Sequence, residues 1–212
     1  MWGSATSSDS GGLRRIGGVV VATAALLVLG APGLQARLFL TTEEALDLAF
    51  PGCEVRRSTV YLDREQLRAI EERSGSQPET AIVYPYRALC DGELGGTAYF
   101  DVHRVRTLPE TLMIVVSPAG TVERVELLSF KEPPDYIPVD AWYEQFEGEK
   151  LDEDLALKRE IRSVTGATLT ARATTRAVRR TLALHEILAD GDSSEGGKSG
   201  PEEPARTTEQ DR

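Results

Sequence analysis

Two cysteines and two histidines in 212 residues leave little material for metal or haem chemistry. No Cys-x-x-Cys-His occurs, so no haem is attached, and no Cys/His spacing suits zinc. No Gly-x-Ser-x-Gly is present, which argues against a serine hydrolase, and no Gly-rich loop for NADH is found. Basic charge is in deficit, with Lys+Arg 24 against Asp+Glu 34 and a net charge of -10. No basic field exists to displace counterions from a phosphate backbone, so a nucleic-acid partner is excluded. The chain carries no internal repeat. Cys53 and Cys90 are compatible with a disulfide in an exported domain or with two buried thiols, and spacing does not choose between them.

One long apolar run exists, Ile16 to Ala36, interrupted only by Thr23 and Gln35. It is long enough to span a bilayer, which needs about 20 residues. Arg14 and Arg15 precede it and Arg37 follows, a bias that favours a cytoplasmic N-terminus and an exported body. Two readings stay open. An uncleaved anchor places an extracytoplasmic or periplasmic domain on the inner membrane. A cleaved signal releases that domain to the periplasm, although Leu34 is large for a small-x-small site ending at Ala36. The organisation expected is a disordered cytoplasmic N-terminus at 1–13, a signal anchor or transmembrane segment at 14–38, one folded domain at 41–188, and a disordered acidic tail at 189–212.

Within the domain the pattern predicts an α+β fold, an antiparallel sheet with packed helices. Thr41 or Thr42 caps a helix over Glu43–Phe50, stopped by Pro51-Gly52, and Asp63 caps a second from Arg64 to about Arg73, ended near Gly75. Arg56–Leu62 and Thr80–Leu89 read as strands, and Gly95-Gly96 as a break. Thr97–Val105 alternates Ala98, Phe100 and Val102 against Tyr99, Asp101 and His103. Leu112–Val116 and Val122–Phe130 form a hairpin around Pro118-Ala119-Gly120, with Val122, Arg124, Glu126 and Leu128 opposite Val125 and Leu127. Lys131–Pro138, with three prolines, is a loop, and Asp140 caps a short helix bearing Trp142, Tyr143 and Phe146. Leu151–Glu160 is charged and of no clear type, and the strongest helix runs from Ala171 to about Leu188.

The chemistry concentrates at Thr165-Gly166-Ala167-Thr168-Leu169-Thr170, just before that helix. A helix N-terminus presents unpartnered N–H groups that suit a phosphate. Gly166 permits a close approach, and Thr168 and Thr170 are candidate caps. Arg172, Arg176, Arg179 and Arg180 follow with no acidic residue until Glu186. Cations are disfavoured near a helix start unless an anion sits there; the plainer reading is a basic solvated face. Asp101 and His103 share a strand face, as a hydrogen-bonded structural pair or an acid–base pair, and His185 reads as structural.

These six residues, followed by an Ala/Thr/Val helix, resemble the Ser/Thr-Gly-Ala-Thr-x-Ser/Thr signature of the FMN-binding domain family. That family includes the flavin subunits of the Rnf complex and of the sodium-translocating NADH:quinone oxidoreductase, and stand-alone flavin carriers. The resemblance extends over about residues 80–188. It implies FMN joined through a phosphoester to Thr168 by a flavin transferase that draws on FAD. It further implies that Gly166 and Ala167 admit the phosphate, that Thr165, Leu169 and Thr170 complete the loop, and that Arg172 offsets charge. Glu132, matching the family's acidic position after the hairpin, and Tyr136 would lie near the ring. Arg162 stands where the family's signatures carry Asp. The function implied is an electron carrier, a relay more than a self-sufficient enzyme, with a membrane or periplasmic redox partner. Two alternatives remain, a cofactor-free anchored ligand-binding or interaction module and an accessory subunit of a redox-driven ion pump.

Overall fold

The computed structural model describes residues 37–194 and 203–204. The expected N-terminus at 1–13 and nearly all of the 14–38 segment lie outside the described residues. The elements in chain order are β1 (Arg37–Leu38), α1 (Thr42–Ala49), β2 (Glu54–Arg57), β3 (Val60–Tyr61), α2 (Arg64–Ser74), β4 (Ile82–Val83) and β5 (Tyr86–Cys90). There follow β6 (Glu93–Arg104), β7 (Pro109–Val116), β8 (Val122–Phe130), α3 (Asp140–Tyr143), α4 (Thr168–Ser194) and β9 (Glu203–Pro204), with single 3-10 turns at Pro134–Tyr136 and Glu144–Phe146. Seven strands form one antiparallel sheet in the order β1-β8-β7-β6-β5-β2-β9, and β3 pairs with β4.

The sheet is covered on both faces, which is why its central strand reads as a continuous apolar run. On β7, Leu112, Ile114 and Val116 face one core with Ile70 of α2 and Ala177, Val178 and Leu182 of α4. Met113 and Val115 face the other, against Ala45 and Leu46 of α1 and its C-cap Phe50. Trp142, Tyr143 and Phe146 are buried in the α4-side core, docking their helix on the sheet. Among the described residues no helix is long and apolar enough to cross a membrane.

Local signals explain most boundaries. Thr41 makes a capping box with Glu44, and Asp63 one with Gln66, each satisfying amides that a helix start leaves free. Gly75 ends α2 at φ 81°, a left-handed angle that glycine adopts without steric penalty. Asp140 is the first residue of α3, not its cap, which is Val139.

Several expectations are corrected. The strand foreseen over Arg56–Leu62 divides into β2 and β3, and the one over Thr80–Leu89 divides into β4 and β5 around Pro85. Gly95-Gly96 does not break the chain but lies inside β6, beside a register shift at Ala88/Leu89. A Cβ on Gly95 would sit 2.6 Å from Cys90 Sγ, so the glycine clears room for the sulfur. Cys53 and Cys90 form a disulfide between β2's leading edge and the end of β5. A second register shift at Val115/Val116 turns Val122 to the same core as Val125, against simple alternation. Within 189–212, taken as a disordered tail, α4 continues to Ser194 and Glu203–Pro204 pair with Arg56 and Arg57 of β2. Arg37 and Leu38, the end of the 14–38 span, pair with β8.

Candidate functional site

The Thr165–Thr170 turn forms the start of α4. Gly166 takes φ 88°, and an ideal Cβ there meets nothing within 4 Å. The glycine is thus required by backbone angle and leaves an open approach. Ala167 is buried at 3% exposure and its carbonyl accepts the first helical bond, from Ala171 N at 2.9 Å. The amides of residues 168–170 precede that bond and have no partner inside the helix. Thr168, the first helical residue, is exposed, and its Oγ1 donates to Val164 O at 3.1 Å. Thr170 is fully buried and does not cap. Its hydroxyl donates instead to Tyr136 O at 2.6 Å, tying α4 to the proline-rich loop.

Thr168 lies on the wall of two cavities. One, of about 110 Å³, is bounded by Arg106, Tyr136 and the run Gly166–Thr170. The guanidinium of Arg106 lies 5.0 Å from the centroid of the Tyr136 ring. The other, of about 430 Å³, is bounded by Lys158, Ser163, Thr168, Arg172, Thr175 and Arg176, with Arg179 deeper. Lys158 holds a positive φ of 68°, uncommon outside glycine. Neither lining contains an acidic side chain, in a protein whose net charge is -10. Leu169, 44% exposed, borders the smaller cavity; Thr165 is exposed and borders neither.

The four arginines of α4 divide. Arg172 and Arg176 are exposed beside Thr168, but Arg179 donates to the carbonyls of Ser74, Leu155, Arg73 and Asp152, and Arg180 is buried. The reading of one basic solvated face therefore holds for the first pair only.

Glu132 is bonded to the turn after β6. Its Oε1 accepts from Thr107 N at 2.7 Å, Leu108 N at 2.8 Å and Thr107 Oγ1 at 3.2 Å. Burial works to raise its pKa, but the amide bonds outweigh it and hold the carboxyl below its ordinary value. Its carboxylate braces the turn after β6 that carries Arg106, and it borders neither cavity. Arg162, at the position where Asp was expected, has an exposed side chain, while its carbonyl accepts from Trp142 Nε1 at 2.6 Å.

Sequence reasoning missed a buried polar cluster under α4. His103 Nδ1 lies 2.8 Å from Asp101 Oδ1, the pair foreseen from strand alternation. Arg180 closes on Asp101 with Nη2 2.8 Å from both oxygens and Nε 3.1 Å from Oδ2. Burial raises the Asp101 pKa, yet the His103 bond and the Arg180 charge prevail and hold it low. Glu110, directly across from His103 in the β6–β7 register, is fully buried and accepts from Thr174 Oγ1 at 2.9 Å. Burial pushes Glu110 up to about 7, against the pull of His103 and the Thr174 bond. The available signal was Glu110 beside an apolar strand and threonines on the buried side of α4. His185 lies 3.0 Å from Tyr99 Oη, in a structural contact.

Residues 108–183 match the model of the FMN-binding domain family. That span runs from β7 through most of α4 and holds Glu132, Tyr136 and the whole Thr165–Thr170 turn. No curated protein matches the chain. Among solved structures, NqrC of Shewanella oneidensis is similar, at 16% identity and a TM-score of 0.47, covering 72% of this chain and 91% of that one. The part of the chain that is similar to the FMN-binding domain family is thus residues 108–183.

Proposed function

We propose that this protein is an extracytoplasmic electron carrier whose FMN is esterified to the Thr168 hydroxyl. The observation that carries the reading is that hydroxyl itself: exposed, on the first turn of a long buried helix, and flanked by cavities bearing only cationic charge. The residues fit the group. Gly166 leaves its approach open, the amides of residues 168–170 point out of the helix start, and Arg106, Lys158, Arg172 and Arg176 are placed to offset a phosphate.

FMN, when bound, supplies one- and two-electron chemistry. The chain's own residues provide attachment and setting. Attachment exchanges the Thr168 Oγ–H bond for Oγ–P, breaks the diphosphate of FAD and releases AMP; a flavin transferase is the catalyst. The Val164 carbonyl then loses its donor, so the ester requires a small local adjustment. Tyr136 and Leu169 border the same cavity as Thr168 and would lie near the flavin; Thr170 holds Tyr136 through its carbonyl, and Glu132 braces the turn that brings Arg106 to that cavity. A tether suits a compartment where released flavin would be diluted away. The Cys53–Cys90 disulfide supports such a compartment, since disulfides persist in oxidising surroundings. A redox partner at or near the membrane is part of the proposal, as is anchoring through 14–38.

Coexpression with a flavin transferase tests the reading. The protein is expected to keep flavin fluorescence on a denaturing gel, and a Thr168→Ala variant to lose it. A dark wild-type band that also fails to bind added FMN would overturn the proposal in favour of a cofactor-free module.

A further inference from the structure

Two side chains paired across β6 and β7 under α4 each leave a buried polar atom without a hydrogen-bond partner among the described residues, His103 Nε2 and Glu110 Oε2. His103 Nε2 lies 3.7 Å from Glu110 Oε1. We propose that His103 and Glu110 hold one proton between them, and that this proton keeps the Thr168-bearing half of α4 locked on the sheet. The inference is independent of whether Thr168 carries FMN.

Charge counting under the helix leads to it. Asp101 and Arg180 form a bidentate ion pair whose side chains are 15% and 7% exposed, so their charges cancel. The Asp101 carboxylate has no proton to give, so His103 must donate through Nδ1. That leaves Nε2 as the atom whose state is open. A neutral His103 with an ionised Glu110 would put one uncompensated negative charge in the core, which is expensive. Neutrality is met in two ways, neutral His103 with protonated Glu110, or imidazolium with carboxylate. Both hold the same single proton.

Among the described residues the other groups around the pair add no cation to replace it. From α4 come Thr174, bonded to Glu110 Oε1, and Arg180, already committed to Asp101 and to Ser76 Oγ at 3.2 Å. From α3 comes Tyr143, whose buried hydroxyl is unpartnered among the described residues and whose own ionisation is opposed by burial, then by Glu110, Asp140 and Glu126. From β6 and β7 come Asp101, His103 and Glu110 themselves. Thr174 sits six residues along from Thr168, about 9 Å of helix. Loss of the proton would leave an unpaired carboxylate beneath that segment.

The test uses the purified full chain, without flavin, labelled at glutamate and histidine side chains for NMR. One Glu carboxyl carbon, identified by its absence in Glu110→Gln, is expected to titrate near pH 7, and the His103 ring nitrogen signals are expected to differ between wild type and Glu110→Gln. Tm of the wild type is expected to fall by several degrees from pH 5 to pH 8, and that of Glu110→Gln to change less. If Glu110→Gln does not fold, through-bond assignment in the wild type identifies the same signal, and Thr174→Val is expected to move its midpoint. A Glu110 midpoint in the ordinary carboxylate range near 4.5, or His103 ring signals unchanged in Glu110→Gln, overturns the proposal.

Discussion

Single side chains carry much of the site without touching it. Glu132 accepts hydrogen bonds from two backbone amides and one hydroxyl of the turn that presents Arg106. Glu132→Gln is expected to lose about 1–3 kcal/mol of stability at neutral pH, measured by urea unfolding. Because its folded pKa is lowered, the stabilisation by the ionised form is present above the unfolded value and disappears as pH falls through the folded one. The difference between wild type and variant should therefore shrink in acid. Gly95 is a second such residue. Gly95→Ala would drive a methyl to within 2.6 Å of Cys90 Sγ and is expected to destabilise by about 1–3 kcal/mol. The penalty should be smaller in a Cys53→Ser/Cys90→Ser background, where a hydroxyl replaces the larger sulfur. The turn at Gly166 and the helix that follows it were legible from the chain because a helix start and a left-handed angle announce themselves locally. The role of Glu132 was not, because its partners lie some 25 residues away in sequence.

At the scale of elements, α2 was readable nearly to the residue, since Asp63, Gln66 and Gly75 each supply a cap. The β7–β8 hairpin was equally plain, but its register was not. The shift that turns Val122 inward depends on pairing with Val116 across the turn, which no period-two pattern contains. The cluster of Asp101, His103, Glu110 and Arg180 was hidden for the same reason. It is assembled from β6, β7 and α4, and Arg180 looks like its exposed neighbours until the sheet lies beneath it. The disulfide ties β2 to β5 across a separation of 37 residues. Chain-entropy reasoning puts its contribution at about 4 kcal/mol, with strain and unfolded-state structure able to reduce it. Reduction is expected to lower the urea midpoint and, by letting the unfolded chain expand, to steepen the slope. An unchanged midpoint would mean that the core around Ala45, Leu46 and Phe50 holds that edge without it.

For the whole molecule, both hydrophobic cores fall inside residues 40–188, between them using every major element from α1 to α4. A fragment of residues 37–194 is therefore expected to fold cooperatively and to melt in one transition by both circular dichroism and tryptophan fluorescence, Trp142 being buried in the α4-side core. Two separate transitions would contradict a single body. The α+β architecture was legible because strands and helices carry different apolar periods. What the chain alone did not convey is that α4 both carries Thr168 and is pinned at Thr170, Thr174 and Arg180, so the proposed attachment residue sits on a helix bonded to the loop before α3 and to the sheet. Fixed placement of this kind is what an attached cofactor requires of its protein.

The most direct measurement is the mass of the proteolytic peptide containing Thr168, taken from protein coexpressed with a flavin transferase. The account expects a gain equal to FMN less one water, fragmenting to the Thr168 side chain, with no gain in the Thr168→Ala protein. An unmodified Thr168 peptide, or the same adduct on Thr165 or Thr170, would contradict it.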